Sequence, residues 1–184
     1  MQMVNTWYGD IERPLLDKFQ QIRLLILDID GVFSDGRIYL GNNGEELKAF
    51  HTRDGFGMKA LANAGFETAV ITGRESYIVE QRMQHLSVSH IYQGQADKTV
   101  AYQQLLQQLS LTDNHVAYVG DDVPDLALVK RSGLGIAVND AHPAVQQHAD
   151  YTTRCLGGHG AVREVCDLLL LAHGQLRQAE GISL

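Results

Sequence analysis

The stretch LLILDIDGVFSDG, Leu24 to Gly36, decides how the rest of the chain is read. Four apolar residues run directly into Asp28, Asp30 and Asp35, with Gly31 and Gly36 among them. RLLILD shows no polar alternation, the pattern of a strand covered on both faces of a parallel sheet. Its end poses an electrostatic problem. Carboxylates held close together repel, and one is driven toward its neutral form unless a cation intervenes. A turn rich in Asp and Gly would account for a lone D-x-D-G. An acidic site at the carboxyl end of a strand, where open α/β sheets bind ligands, accounts for it as well.

Strand–helix alternation continues outward from that point. FETAVIT (66–72), HVAYVG (115–120) and LGIAV (134–138) read as core strands, with shorter ones near His90–Tyr92 and Tyr151. Helices are predicted for a lead-in segment at 10–20, from Asp54 through MKALANA to Gly65, and at 75–85 and 98–109. Two more follow Pro143 and span 160–173. GRIYLGNNGEELKAFH (36–51) breaks the pattern, because RIYL and ELKAF flank the turn-rich GNNG and read as a β-hairpin. The expectation is one α/β domain over 1–184, a Rossmann-like three-layer sandwich with a mainly parallel sheet and a protruding hairpin. The tail, 174–184, loses apolar periodicity and is expected to be mobile.

Composition sets limits. An apolar fraction of 45% with 20% charged residues is that of a water-soluble globular chain. A formal net charge of -7 excludes the global basic footprint of a nucleic-acid binder. An acidic chain still binds an anionic substrate where cations cluster locally or a metal is present. Cys155 and Cys166 lack C-x-x-C spacing and suggest core thiols in a reducing compartment. The start has no signal-peptide pattern, and VCDLLLLAH falls far short of the roughly 20 residues of a membrane span. A cytoplasmic protein binding neither nucleic acid nor membrane is expected.

Three strand ends carry chemistry. Asp28 and Asp30 are i and i+2 and face the same side of an extended strand. Thr72, Gly73 and Arg74 follow the second core strand, Gly120, Asp121 and Asp122 follow a later one, and Lys98 opens a helix. With Asp121 the site has three acids. Mg²⁺ suits them, since it takes oxygen ligands from few carboxylates and leaves room for waters and phosphate oxygens. Such a cation lets the acids stay ionised.

DIDGVFSDG, ITGR, Lys98 and GDDVPD resemble, in order, the four motifs of haloacid-dehalogenase-like phosphatases. The resemblance implies that Asp28 is the nucleophile, forming an aspartyl phosphate, and that Asp30 is general acid and then base. It implies Mg²⁺ on the Asp28 side chain, the Asp30 main-chain carbonyl and Asp121, with Thr72 and Lys98 holding phosphoryl oxygens. Asp122 would support the site or cap a helix, Asp125 would orient Lys98, and Asp35 would shape the loop.

Only 43 residues separate Asp28 from Thr72 and 25 separate Thr72 from Lys98, so no cap domain fits. The hairpin is the candidate cover. DGVFSDGRIYLGNNGEELKAFHTRDGFGMKAL, YQGQADK, AYVGDDVPD, AVNDAHP and GGHGAVREVCDLLL resemble a capless family of phosphatases acting on 3-deoxy-D-manno-octulosonate 8-phosphate. That substrate is an eight-carbon sugar acid phosphate on the route to lipopolysaccharide. The resemblance spans about 23–173 and implies a homotetramer in which hairpins associate and each subunit helps close a neighbour's site. It implies substrate contacts at Asp30, His51, Thr52, Arg53, Asp54, Gly55, Lys59, Arg74, Arg82 and Lys98. Lys59 departs from the Arg expected there, and His51 could act through its main chain alone.

The cations among these suit a ligand with a carboxylate and a phosphate. Arg74 and Arg82, eight apart, are expected on one helix face. GGHGAVREV is expected to present a free helix amino end that attracts anions, aided by Arg154 and Arg163, and the resemblance implies a C-terminal segment that folds over a neighbour's site as a lid. Three alternatives remain: a phosphatase of another sugar acid, a non-catalytic tetramerisation module, and a phosphoacceptor receiver domain. Retention of Asp28 and Asp30 argues against the second, and the D-x-D order with the hairpin against the third.

Overall fold

Leu24, Leu25, Ile26 and Leu27 are fully buried, as a run apolar on both sides requires. They form the third strand of a computed structural model that describes residues 2–176. The chain runs β1 (Met3–Thr6), β2 (Gly9–Glu12), α1 (Arg13–Gln21), β3 (Leu24–Leu27), β4 (Tyr39–Leu40), β5 (Glu46–Leu47) and α2 (Thr52–Asn63). It continues through β6 (Glu67–Ile71), α3 (Tyr77–His85), β7 (His90–Tyr92), α4 (Lys98–Leu109), β8 (Val116–Gly120) and α5 (Leu126–Arg131). It ends with β9 (Leu134–Ala137), α6 (Pro143–Gln146), β10 (Tyr151–Thr152) and α7 (Ala161–Ala172).

The main sheet has the order β10-β9-β8-β3-β6-β7, and every neighbouring pair is parallel. Parallel neighbours need crossover connections, which supply helices for both faces. α1, α2 and α7 pack together as one layer, and α4, α5 and α6 as the other. Register positions the chemistry: Leu27 of β3 lies opposite Val70 of β6 and Val119 of β8. The residues following these three strands therefore emerge side by side at one edge of the sheet.

Several local elements differ from expectation. The lead-in segment begins as an antiparallel hairpin, β1–β2, whose turn uses Gly9 at φ +92. Its two four-residue strands are too short for periodicity to reveal, and α1 starts only at Arg13 with Pro14 in its first turn. The 36–51 hairpin pairs over two residues per strand, Tyr39↔Leu47 and Leu40↔Glu46, with one further bridge at Ser34↔Phe50. α2 begins earlier than expected, at Thr52, and carries two glycines. A side chain at Gly57 would crowd Arg163 and Cys166 of α7, so the glycine permits close packing of these helices.

Gly174 adopts φ +69 just past α7, and Leu176 packs against the core. Of the tail expected to be mobile, 177–184 lies outside the described residues. Among the described residues no helix is long and apolar enough to cross a membrane.

Candidate active site

Strand register brings Asp28, Thr72 and Asp121 to the same sheet edge. They line a cleft of about 230 Å³ together with Asp30, Arg74, Lys98, Asp122 and Asp125. Asp28 is buried, and its N–H donates to Val119 O at 3.1 Å, continuing the β3–β8 ladder by one residue. Lys98 is buried at the start of α4, where its Nζ lies 2.8 Å from both Asp28 Oδ1 and Asp125 Oδ1. Only the contact with Asp125 is aligned as a hydrogen bond, so Asp28 Oδ1 is buried without a hydrogen-bond donor.

Asp125 is fully engaged. Its Oδ1 accepts from Lys98 Nζ and, at 2.6 Å, from Tyr118 Oη. Its Oδ2 accepts the N–H groups of Asp121 at 3.1 Å and Asp122 at 3.4 Å. Carboxylate oxygens of Asp28, Asp121 and Asp125 all lie within 4.8 Å of one another. Since Asp125 is occupied by four donors, Asp28 and Asp121 remain to receive a cation. Asp121 packs against Gly31, whose φ is +94 and whose missing side chain would collide with that carboxylate. Gly31 is thus a requirement of the site as well as of the turn.

Burial pushes the Asp28 carboxyl up to about 6, helped by the Asp125 charge and opposed by Lys98. Burial, then the charges of Asp28, Asp125 and Asp122, pushes Asp121 up to about 8. For Lys98 burial alone acts downward, but the Asp28 and Asp125 charges outweigh it and hold the ammonium above its usual range. Two acids destabilised in their charged form, one with an unfilled lone pair, fit a divalent cation held by oxygen ligands.

A pH dependence follows for the metal-free protein. Both acids have folded-state values above the unfolded ones, so the folded chain holds protons that the unfolded chain releases. That stabilisation is present at low pH and is lost as pH rises through 6 and then 8. A divalent cation should therefore raise the unfolding temperature more at pH 8.5 than at pH 5.5. Thermal unfolding with and without Mg²⁺ at both pH values measures it, and an equal shift at both would remove the electrostatic account.

Other expected residues fall into two groups. Asp30 and Arg74 face the cleft, with Arg74 Nε 3.9 Å from Asp30 Oδ2. Arg74 is not on a helix with Arg82, as the spacing suggested: it sits in the bend before α3, which starts at Tyr77 after Ser76. Thr52, Gly55, Lys59 and Arg82 line a separate cavity of about 200 Å³. There Arg82 Nε is buried without a hydrogen-bond partner, and Gly55 leaves the space its guanidinium occupies.

His51 caps α2, its Nδ1 accepting the Arg53 N–H at 3.1 Å, and Arg53 is exposed. Asp54 turns inward, and burial raises its pKa against the opposing N–H groups of Arg163 and Gly160, which donate to it at 2.8 and 3.2 Å. Those bonds cap α7. The amino end expected to attract an external anion is thus filled by the protein's own carboxylate. Asp122 accepts the Val123 N–H at 2.8 Å and caps the turn Val123–Asp125, while Asp35 pairs with Arg37 away from the cleft.

Sequence reasoning missed Tyr118, Glu46, Ser76 and Lys48. Lys48 Nζ ion-pairs with Asp30 Oδ1, its side chain wholly buried. Its signal was present in the hairpin, where Glu46 and Lys48 alternate with Leu47.

A family model described as haloacid dehalogenase-like hydrolase matches residues 85–164. The 3-deoxy-D-manno-octulosonate 8-phosphate phosphatase of Escherichia coli K12 is 52% identical over 179 residues, 97% of this chain and 95% of that protein. The crystal structure of the Yersinia pestis phosphatase of the same name superposes with a TM-score of 0.94 at 49% identity, covering 96% of this chain and 95% of that one. The Moraxella catarrhalis phosphatase, solved with a magnesium ion, a phosphate ion and KDO, gives a TM-score of 0.90 at 41% identity, covering 93% and 98%.

Proposed function

Because the chain belongs to the 3-deoxy-D-manno-octulosonate 8-phosphate phosphatases of the haloacid dehalogenase-like family, we propose that it hydrolyses that sugar acid phosphate to the free sugar acid and phosphate. The observation that carries the chemistry is the Asp28–Lys98–Asp125 arrangement beside Asp121. Asp28 is held at the end of β3 and lines the cleft, with its Oδ1 ion-paired to Lys98, a placement that suits a nucleophile toward phosphorus. It attacks phosphorus to give an aspartyl phosphate, and Asp30 protonates the departing sugar oxygen, then takes a proton from the hydrolytic water. Lys98 and Thr72 bind phosphoryl oxygens and carry the charge that builds there.

Mg²⁺ would be held by the Asp28 side chain, the Asp30 carbonyl and Asp121. When bound it neutralises carboxylate and phosphate charge that would otherwise repel. Asp125 acts as a support, fixing Lys98 and the Asp121–Asp122 backbone.

The fold without a cap is read as a single catalytic unit over 1–184. Its hairpin exposes Leu40 at 72% and Leu47 at 66% with Tyr39, an apolar face that an isolated subunit leaves in water. We place that face in the contact of a homotetramer, where the Thr52, Gly55, Lys59 and Arg82 cluster completes a neighbour's cleft. Arg82, partly exposed and lining that cavity with Lys59, supports this, since the two supply cations for a substrate anion. The product joins the route to lipopolysaccharide, and the proposed setting is the cytoplasm.

Phosphate release from 3-deoxy-D-manno-octulosonate 8-phosphate, with and without Mg²⁺, tests the reading. Turnover should require the metal. Failure on this substrate alongside cleavage of another sugar phosphate would move the assignment to a different sugar acid. The double change Leu40→Glu, Leu47→Glu should lower the mass seen by light scattering and cut turnover; unchanged mass would place the interface elsewhere.

A further inference from the structure

The hairpin carries charged residues that the mechanism above leaves without a role. Glu46 and Lys48 are i and i+2, so they share one side of the extended chain, and that side meets the cleft. Lys48 Nζ pairs with Asp30 Oδ1 and lies 3.8 Å from Glu46 Oε1. Glu46 is itself fastened at both oxygens: Oε2 accepts from Ser76 Oγ at 2.8 Å, and Oε1 lies 3.5 Å from Arg74 Nη2. Leu47, between the two, points away and is exposed.

We propose that Lys48 is a positioning residue for the leaving-group step. It holds the Asp30 carboxyl group aimed at the sugar oxygen, and Glu46, anchored by Ser76, holds Lys48. This rests on the reading of Asp30 as general acid. Proton transfer demands that the acid stay within hydrogen-bond reach of the departing oxygen, and a side chain free to rotate loses that alignment. Arg74 cannot substitute well: it is 3.9 Å from Asp30, and its side chain is half exposed. Lys48 is the closer and wholly buried partner. Partly buried ion pairs are screened less than exposed ones, and here the Lys48 side chain is buried while Asp30 is only 20% exposed.

The reaction itself makes the test selective. When the P–O bond of a sugar phosphate breaks, the electron pair stays on the sugar oxygen, which must receive the Asp30 proton. A p-nitrophenyl phosphate releases a stable anion that needs no proton. Lys48→Met should lower kcat/KM for a primary sugar phosphate by about 100-fold, while p-nitrophenyl phosphate loses less than about threefold. Lys48→Arg should recover most of the loss. Asp30→Asn is the reference and should show the same selectivity more strongly.

Any primary sugar phosphate that the wild type cleaves serves, so a wrong sugar assignment leaves the ratio defined. Equal losses on the two substrates, or no loss on the sugar phosphate, would overturn the role of Lys48. An Asp30→Asn variant without selectivity would remove the acid assignment itself and the Lys48 inference with it. Thermal unfolding and light scattering check that the variants keep fold and assembly. Should Lys48→Met not fold, Lys48→Gln carries the same comparison.

Discussion

Asp28→Asn is expected to reduce phosphate release by about 10⁴-fold or more while leaving the fold intact. The amide matches the carboxylate in shape and leaves the backbone bond to Val119 O untouched. It lacks the negative charge that makes the carboxylate oxygen a nucleophile toward phosphorus, so the covalent path closes. Stability should move the other way. Asp28 is buried with its charged form disfavoured, and Asn removes that cost. The metal-free variant should therefore unfold at or above the wild-type temperature at pH 8. Single-turnover phosphate release and thermal unfolding together decide the matter. Activity above about 1% of wild type in a sample free of contaminating phosphatase would assign the nucleophile to another group.

Lys98→Met should be the most damaging substitution for activity and stability together. Methionine has nearly the shape of the lysine stem, which limits packing loss. What disappears is the charge between Asp28 and Asp125, two buried carboxylates that then face each other unscreened. Breaking a buried pair from one side costs about 3 kcal/mol or more. Rising pH should aggravate the loss, because protonation relieves the repulsion and deprotonation restores it. Mg²⁺ should recover part of the stability but little activity, since the phosphoryl oxygens still lack a partner, and a fall of about 10³-fold is expected. Denaturant unfolding at pH 6 and 8 with steady-state rates checks this. A stable, active variant would show that the metal alone supplies the positive charge.

The sheet and the acids within it were legible because burial on both faces leaves unbroken apolar runs, and LLIL, TAVI and VAYVG are such runs. Each ends where polarity switches abruptly, which exposed Asp28, Thr72 and Asp121. The D-x-D, T-G-R, Lys and G-D-D order also resembled a family, and that resemblance supplied roles that spacing alone cannot. Less legible was anything set by direction. Asp54 lies in a run expected to contact substrate, but a helix turns successive side chains by about 100 degrees, and this one points at α7. Arg74 and Arg82 matched a helical spacing, yet the helix begins between them. β1 and β2 were hidden because a four-residue strand contains too few alternations to outweigh a following helix. Lys48 was hidden by its type: a lysine in a hairpin reads as a solvated charge until the strand is seen lying across Asp30.

The strand order has a consequence in time. β3 is central, and both of its partners come from later in the chain: β6 soon after it, and β8 only after the excursion through α3, β7 and α4. Closing that long parallel connection is a slow, non-local event. Asp121 comes beside Asp28 only when it is complete. A refolding chain can therefore bury most of its apolar surface before it owns a working site. Recovery of phosphate release should trail recovery of helical circular dichroism, so catalysis itself times the β3–β8 pairing.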